Sequence, residues 1–338
     1  MNLLLVKTSS FGDLLHTLPA LRDLARLRPD VRVHWVVEEG FAQLPTWADN
    51  VVEVIPVAWR RWRKHPWHAW HSGEFSAFLQ RIRYQEFDAI LDAQGLIKSA
   101  LIARLANGVR HGPDYASARE KGASFFYQTT HRVPTKLHAV TRLRRLFAHA
   151  FKYPEPADDP DFGLDPARFI SPVVQKRYLC FLHGTTWPTK HWPETHWQNL
   201  AQRAGEAGWR VVLPWGNAVE KSRAQSIAAS APSVCLVLPR LTLEQLAGAL
   251  AGAGAVIATD TGPAHLAAAL GVPTVALYGP TPAERIGIVG RAAARLTGRC
   301  KLAPCRQRRC PLEQGRDGCM HSLSPEQVWQ TVGEITCA

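Results

Sequence analysis

Asp13 is the first residue of this chain whose placement suggests chemistry. It closes the stretch Lys7-Thr8-Ser9-Ser10-Phe11-Gly12-Asp13, which follows the apolar run Leu3-Leu4-Leu5-Val6 and precedes Leu14, Leu18, Leu21 and Ala25 at roughly helical spacing. A small-residue loop between a strand and a helix opens at the carboxyl edge of an α/β sheet, where such folds bind ligands. A lone carboxylate there is either a helix cap that accepts free N–H groups or a general base. These seven residues leave both readings open. Pro19 adds a condition, because proline in a helix interior costs about 3 kcal/mol. The helix therefore starts near Leu18 with Pro19 in its first turn, or it kinks, and Asp13 lies at or before its opening.

Asp260-Thr261-Gly262-Pro263-Ala264-His265 falls between an apolar run and a small-residue run. The N–H groups at the start of a helix there suit phosphate. Thr261 adds a hydroxyl donor, and Gly262 lets a ligand approach the backbone. His265 then donates to a phosphate or a sugar hydroxyl. The bland alternative is Asp260 as a cap and His265 as a satisfied structural histidine. Gly184-Thr185-Thr186 with Lys190 is a second candidate diphosphate clamp, but it lacks Walker spacing, and a surface turn with a solvated lysine produces the same pattern. Glu220, after Trp215-Gly216-Asn217, either holds ribose hydroxyls or favours a helix dipole.

The run Trp59-Arg60-Arg61-Trp62-Arg63-Lys64-His65-Pro66-Trp67-His68-Ala69-Trp70 is the densest basic-aromatic segment. Arginine binds phosphate and carboxylate in a bidentate manner, and tryptophan favours the wet boundary of a membrane. The run suits a nucleic acid or an anionic lipid headgroup better than it suits a solvated loop. Arg119, Lys136, His138, Arg142, Arg144 and Arg145 extend the positive character, many of them as solvated helix faces, and together they suggest an acidic ligand in the first half. Cys300, Cys305, Cys310 and Cys319 are spaced C-x4-C-x4-C-x8-C. Four thiolates can hold a structural zinc, but usual ligand pairs sit closer, so free thiols are the default.

The elements that must position these groups alternate. Strands are expected at Val31–Val37, Val51–Ile55 and Asp88–Asp92, and helices at Phe75–Tyr84, Leu96–Leu105 and Leu137–Phe151. The rhythm restarts with a strand at Tyr178–His183 and a helix at Trp192–Ala207. A strand at Arg210–Pro214 and helices at Ala218–Ser230 and Leu243–Ala251 follow. The last elements are strands at Ala255–Thr259 and Thr274–Tyr278, a helix over Leu266–Leu270, and a helix over Pro325–Ile335 capped by Ser324. This alternation predicts an α/β fold with parallel sheets covered on both faces. The division expected is a domain over 1–155, a Pro/Asp-rich linker over 156–176, a second domain over 177–322 and a terminal helix over 323–338. Two such halves imply a cleft between them.

With 338 residues, 46% hydrophobic and 20% charged, the composition is globular and large enough for two cores. No apolar run approaches the about 20 residues that span a bilayer, and the N-terminal apolar run is too short for a signal peptide. A cytoplasmic protein is expected, and its seven cysteines are expected to be reduced. The net charge of +12 points to an anionic partner. A nucleic-acid-binding protein is one candidate, but no RNA- or DNA-reading motif appears. A Rossmann dehydrogenase lacks its G-x-G-x-x-G after the first strand.

Lys7 through Leu21 resembles the N-terminal signature of the lipopolysaccharide heptosyltransferases. Val36-Val37-Glu38-Glu39-Gly40-Phe41, Arg60-Arg61-Trp62-Arg63-Lys64, Asp92-Ala93-Gln94-Gly95-Leu96-Ile97-Lys98-Ser99 and Lys190-His191-Trp192-Pro193 are most similar to the first type of that family. Asp260 through His265 is shared by the wider family, and the likeness runs from residue 1 to about 290. The resemblance implies a GT-B glycosyltransferase of two facing Rossmann-like domains, with no required metal. It implies inverting transfer of L-glycero-D-manno-heptose from ADP-heptose to the Kdo of Kdo2-lipid A; the Cys-rich tail keeps the second type, or another core sugar transferase, as the alternative. By the same resemblance Asp13 is the base and Lys190 stabilises the leaving diphosphate. Thr185, Thr186, Lys190, Glu220, Leu241, Asp260, Thr261, Gly262 and His265 would hold the donor. Ser10, Gly12, Arg60, Arg61, Arg63, Lys64, Arg119 and His138 would hold the acceptor. It implies a monomer that works at the inner face of the cytoplasmic membrane, the residues near 59–70 touching the lipid surface, with no nucleic acid as partner.

Overall fold

The computed structural model describes residues 1–174, 177–312 and 318–337. The chain divides into two compact units, Met1–Gly163 and Leu164–Ala338. The division falls inside the Pro/Asp-rich stretch. Asp158 pairs with Arg26 (3.1 Å) and Arg144 (2.7 Å), and Asp161 with Arg22 (3.1 Å), so the start of that stretch belongs to the first unit. Gln175 and Lys176, at the end of the expected linker, lie outside the described residues.

The first unit contains β1 (Asn2–Val6), α1 (Phe11–Leu15), α2 (Leu18–Leu27), β2 (Arg32–Glu38), β3 (Val51–Val57), α3 (Trp59–Lys64), α4 (Pro66–His71) and α5 (Glu74–Arg83). It continues with β4 (Glu86–Asp92), α6 (Ile97–Leu105), β5 (Asn107–Pro113), β6 (Thr129–His131) and α7 (Ala139–Phe151). The second unit contains β7 (Tyr178–Leu182), α8 (Glu194–Glu206), β8 (Arg210–Leu213), α9 (Ala218–Ala229), β9 (Cys235–Val237), α10 (Leu243–Ala251) and β10 (Ala255–Thr259). Then come α11 (Gly262–Ala269), β11 (Thr274–Tyr278), α12 (Ala283–Ile286), β12 (Ala293–Thr297) and α13 (Pro325–Thr336).

Each unit holds one six-stranded sheet, ordered β3-β2-β1-β4-β5-β6 and β12-β11-β10-β7-β8-β9. All the pairings are parallel. Counted from its own first strand, each sheet reads 3-2-1-4-5-6, the Rossmann order. The apolar runs are continuous because helices cover both faces: Leu3, Leu4, Leu5 and Val6 are wholly buried, as are Leu179, Cys180 and Phe181. The terminal helix α13 buries Val328 and Val332 in the second core beside Trp192 and Trp197.

Several expectations change at element boundaries. Two helices replace the one expected after the first loop. α2 begins at Leu18 with Pro19 in its first turn, where the missing N–H costs nothing. Asp13 sits inside the five-residue α1 rather than at or before a helix opening. α11 starts at Gly262, not Leu266, so its first turn contains the phosphate-loop residues themselves. The basic-aromatic run, for which no secondary structure was expected, forms the helices α3 and α4. The strands β5, β6, β9 and β12 were not anticipated. β5 reads Asn-Gly-Val-Arg-His-Gly-Pro, without the alternation or β-branched density that marks a strand.

Candidate functional site

In a sheet of this order the loops after the first and fourth strands splay apart and leave a crevice at the carboxyl edge. In the first unit these are the loops after β1 and β4. They are tied by Gln94, whose Oε1 accepts from the Thr8 N–H (2.7 Å) and the Thr8 hydroxyl (2.9 Å). Gln94 is held in turn by the buried Asp92. That carboxylate accepts from the Tyr127 hydroxyl (2.6 Å), the Ser99 hydroxyl (2.7 Å) and the N–H groups of Gln94 (2.8 Å) and Gly95 (3.1 Å). Burial pushes the Asp92 carboxyl up against these hydrogen bonds. Gly95, at φ +67°, makes the turn; a Cβ there would meet Pro113 Cγ at 3.0 Å and the Arg119 nitrogen at 3.3 Å.

Asp13 lies on this edge. Its Oδ2 accepts from the Ser10 N–H and the Ser10 hydroxyl, each at 2.9 Å, so it does cap α1. The cap leaves the carboxylate accessible: the side chain is 31% exposed, with the Arg119 guanidinium 3.8 Å away. Burial raises the Asp13 carboxyl, but the Lys7 ammonium, the Ser10 N–H, His16 and Arg119 outweigh it and hold it down at about 2. Lys7 is buried and donates to the Ala93 carbonyl (3.0 Å). Burial lowers its own proton affinity, and Asp13 partly restores it. Lys7, Asp13, His16, Gln94, Arg119 and Arg142 line a cavity of about 90 Å³.

The other expected acceptor ligands divide. Ser10 and Gly12 sit in the Asp13 turn. His138 caps α7, its Nδ1 accepting from the Val140 N–H (3.2 Å), with its ring 5.7 Å from that of His16. Arg60, Arg63 and Lys64 are exposed on α3, and the Arg60 guanidinium lies 5.5 Å over the Phe41 ring. Arg61 is engaged elsewhere, bridging Glu39 (3.0 Å) and Glu74 (2.8 Å). Arg144 is also withdrawn: buried, it pairs with Asp23 (2.6 Å) and locks α7 to α2. Lys98 joins the edge without having been picked out from its residue type. It is half-buried at the start of α6, within reach of the charges of Glu38, Arg60, Arg119 and Arg63, and burial lowers its proton affinity. The signal was its place four residues after Gln94, in the loop leaving β4.

The second unit repeats the geometry with the loops after β7 and β10. The Thr185 hydroxyl donates to the Asp260 carbonyl (3.1 Å) and ties them. The Asp260 carboxylate is buried and accepts from Lys190 Nζ (2.7 Å) and the Thr281 hydroxyl (2.6 Å). Thr261 is the N-cap of α11, and His265 is buried in that helix. Glu220 accepts from the Gly216 N–H (2.7 Å), and its own N–H donates to Asn217 Oδ1 (3.0 Å). It packs so tightly on Gly184 that a Cβ there would meet its carboxyl carbon at 2.7 Å. Thr186 is exposed beside Thr185, and Leu241 lies half-buried between β9 and α10. Thr281 escaped the sequence reading, although Gly279-Pro280-Thr281 after an apolar run is a turn signal.

The seven cysteines are free thiols. Cys300 and Cys319 are hydrogen-bonded, and Cys305 lies near them. Among the described residues no group of three or more His, Cys, Asp or Glu is placed to hold a metal ion. Among the described residues no helix is long and apolar enough to cross a membrane.

This arrangement can bind an anion-rich ligand around a carboxylate on one edge, and on the other a phosphate against a helix N-terminus, hydroxyls and a held lysine. Known proteins resemble the chain in sequence and fold. The family model of glycosyltransferase family 9 (heptosyltransferase) matches residues 75–315. The lipopolysaccharide heptosyltransferase 1 of Pseudomonas aeruginosa is 49% identical over 341 residues, covering 97% of this chain and 96% of that protein. The E. coli heptosyltransferase WaaC, solved with ADP-2-deoxy-2-fluoro heptose, superposes with a TM-score of 0.86 at 40% identity, over 99% of both chains. The lipopolysaccharide heptosyltransferase 2 of Salmonella typhimurium matches at 32% identity over 44% of this chain and 43% of its own length.

Proposed function

The chain belongs to glycosyltransferase family 9, the heptosyltransferases, and on that premise we propose that it is a lipopolysaccharide heptosyltransferase of the first type. It moves L-glycero-D-manno-heptose from ADP-heptose to the Kdo of Kdo2-lipid A, with inversion, on a GT-B fold. The observation that carries this reading is the extent of the likeness in sequence: the first-type relative of Pseudomonas aeruginosa matches nearly end to end, the second type over less than half.

The first domain takes the acceptor. Arg60, Arg63, Lys64, Lys98 and Arg119 supply cations for its carboxylates and phosphates. Asp13 receives the proton of the attacking Kdo hydroxyl as that oxygen bonds to the anomeric carbon and the bond to the diphosphate breaks. A carboxyl held at about 2 is ionised at working pH but weakly basic. An oxocarbenium-like transition state suits it, because the proton then leaves late. The second domain takes the donor. Lys190 has three N–H donors, of which Asp260 uses one. The others, with the Thr186 hydroxyl and the first turn of α11, offset the charge gathering on ADP, while Thr185, whose hydroxyl donates to the Asp260 carbonyl, holds that loop beside the donor. Glu220 accepts from the ribose hydroxyls. No metal is needed in this scheme, because Lys190 and the helix terminus neutralise the leaving group. The protein works as a monomer at the inner face of the cytoplasmic membrane.

The test is ADP release from ADP-heptose, with and without Kdo2-lipid A, in the presence of EDTA. Acceptor-dependent release is expected, falling by about 10²–10⁴ in Asp13→Asn. Full activity in that variant would reduce Asp13 to a cap. Release only on an acceptor that already carries one heptose would assign the protein to the second type.

A further inference from the structure

The cysteine-bearing stretch 298–312 takes no part in the site described above, yet it is fastened to the loops that hold Lys190 and Asp260. We propose that it supplies a further donor ligand, Arg308, whose guanidinium binds the diphosphate beside Lys190, with Trp187 positioning both cations; this rests on the donor assignment in the preceding reading and adds residues to it.

The stretch is anchored along its length. At its start Cys300 is hydrogen-bonded to the buried Cys319, and Cys319 packs so closely on Gly279 that a Cβ there would meet its sulfur at 2.5 Å. The Arg299 N–H donates to the Ser322 hydroxyl (2.7 Å). Further along, the Arg306 N–H donates to the Pro280 carbonyl (2.7 Å), next to Thr281, whose hydroxyl holds the Asp260 carboxylate. The Gln307 carbonyl then accepts from the Thr189 hydroxyl (2.7 Å), next to Lys190. The backbone on the N-terminal side of Arg308 is therefore tied both to the loop after β7 and to the loop after β11.

Arg308 follows directly. Its Cζ lies 5.2 Å from the centre of the Trp187 ring, and Lys190 Nζ lies 4.6 Å from the same centre. Trp187 is half-buried and stands in the loop of Thr185 and Thr186. One indole thus holds two cations. Each is attracted to the ring, but they repel one another, and an anion that meets both relieves the repulsion.

The surrounding charges leave Arg308 open to such an anion. Residues 298–312 carry five basic side chains and no acid. Among the described residues no carboxylate forms an ion pair with Arg308. Asp260 is closed on Lys190 and Thr281, Glu220 accepts from the Gly216 N–H and packs on Gly184, and Glu284 is exposed on α12. Glu313, the next acid in the chain, lies outside the described residues. A guanidinium adds to the ammonium of Lys190 a planar fork of donors that matches phosphate in a bidentate manner. The cysteine-bearing stretch is then the strap that carries this fork to the donor.

The experiment is calorimetric titration of the full chain with ADP, for the wild type, Arg308→Gln, Arg309→Gln and Trp187→Leu. Adenosine, which carries no phosphate, is measured by its competition with ADP. Arg308→Gln should weaken ADP by about tenfold, the value of one charge-assisted hydrogen bond, with adenosine affinity and melting unchanged. Arg309→Gln, one residue on and away from the ring, should change ADP affinity by no more than about twofold. Trp187→Leu should also weaken ADP, and Arg308→Gln should cost less in that background than in the wild type, because the two residues act together. Wild-type affinity for ADP in Arg308→Gln would overturn the proposal. So would an equal loss in Arg309→Gln, which would show bulk charge, or an equal loss for adenosine, which would show a disturbed loop. Failure of the heptosyltransferase reading would appear separately, as no acceptor-dependent release of ADP from ADP-heptose by a wild type that still binds ADP.

Discussion

The two crevices share a topology and differ in how they treat charge. In the first domain Asp13 stands near Lys7 and Arg119, neither of which it neutralises in a closed pair, Arg119 being 3.8 Å away, and Lys98, Arg60 and Arg63 gather further along the edge with Glu38. In the second domain the lone lysine of the loop, Lys190, is pinned to the buried Asp260 at 2.7 Å, and Thr281 completes the carboxylate's shell. The first edge has cation capacity to spare, which suits a ligand bearing several anionic groups. The second offers N–H groups, hydroxyls and one positioned ammonium, which suits a single diphosphate. One fold thus serves two ligands through the partners given to its carboxylates.

The comparison breaks most sharply at Lys190. In Lys190→Ala the buried Asp260 keeps only Thr281, so a loss of about 3 kcal/mol in urea unfolding is expected, alongside loss of transfer. Lys190→Ala/Asp260→Asn should recover much of the stability and none of the activity. A stable single variant would show that the pair is not closed in solution. A smaller effect is expected at Lys98, which has no such structural partner. Lys98→Ala should raise KM for the acceptor by about tenfold, the value of one charge-assisted hydrogen bond, with donor KM and melting unchanged. A change in donor KM would refute its place on the acceptor edge.

The pH profile sharpens the first edge. Asp13 is depressed to about 2, so its activity is fully present above the ordinary carboxylate range and is lost only as pH falls through that value. Arg119→Ala removes one of the charges that depress it. The acid limb of kcat/KM, read on soluble acceptor, should then move to higher pH. An unmoved limb would mean that Arg119 does not act on Asp13. The smallest effect is expected at Arg61, which serves exposed pairs with Glu39 and Glu74; Arg61→Ala should leave acceptor KM within about twofold. A larger rise would return it to the ligand set.

Much of this was legible in the sequence. The loops after β1 and β10 show themselves because an apolar run followed by small residues and a carboxylate is a local pattern, and the Rossmann rhythm follows from periodicity. The ion pairs of Arg61 were not legible, because Glu39 and Glu74 reach it only through folding. The start of α11 was missed because Gly262 and Pro263 read as breakers, although proline is at home in a first turn.

The sequence alone determined two α/β halves, the phosphate-loop candidate, the carboxylate at the first edge and the basic-aromatic run, since each is written in residues a few positions apart. Only the tertiary structure decided which charges are spent and which are free. Asp260 meets Lys190 and Thr281, Gln94 meets Thr8, and Lys98 comes near Arg119 because strands far apart in the chain lie side by side in a sheet. A Coulombic or hydrogen-bonded partner is set by distance in space, and no local pattern in the chain records it.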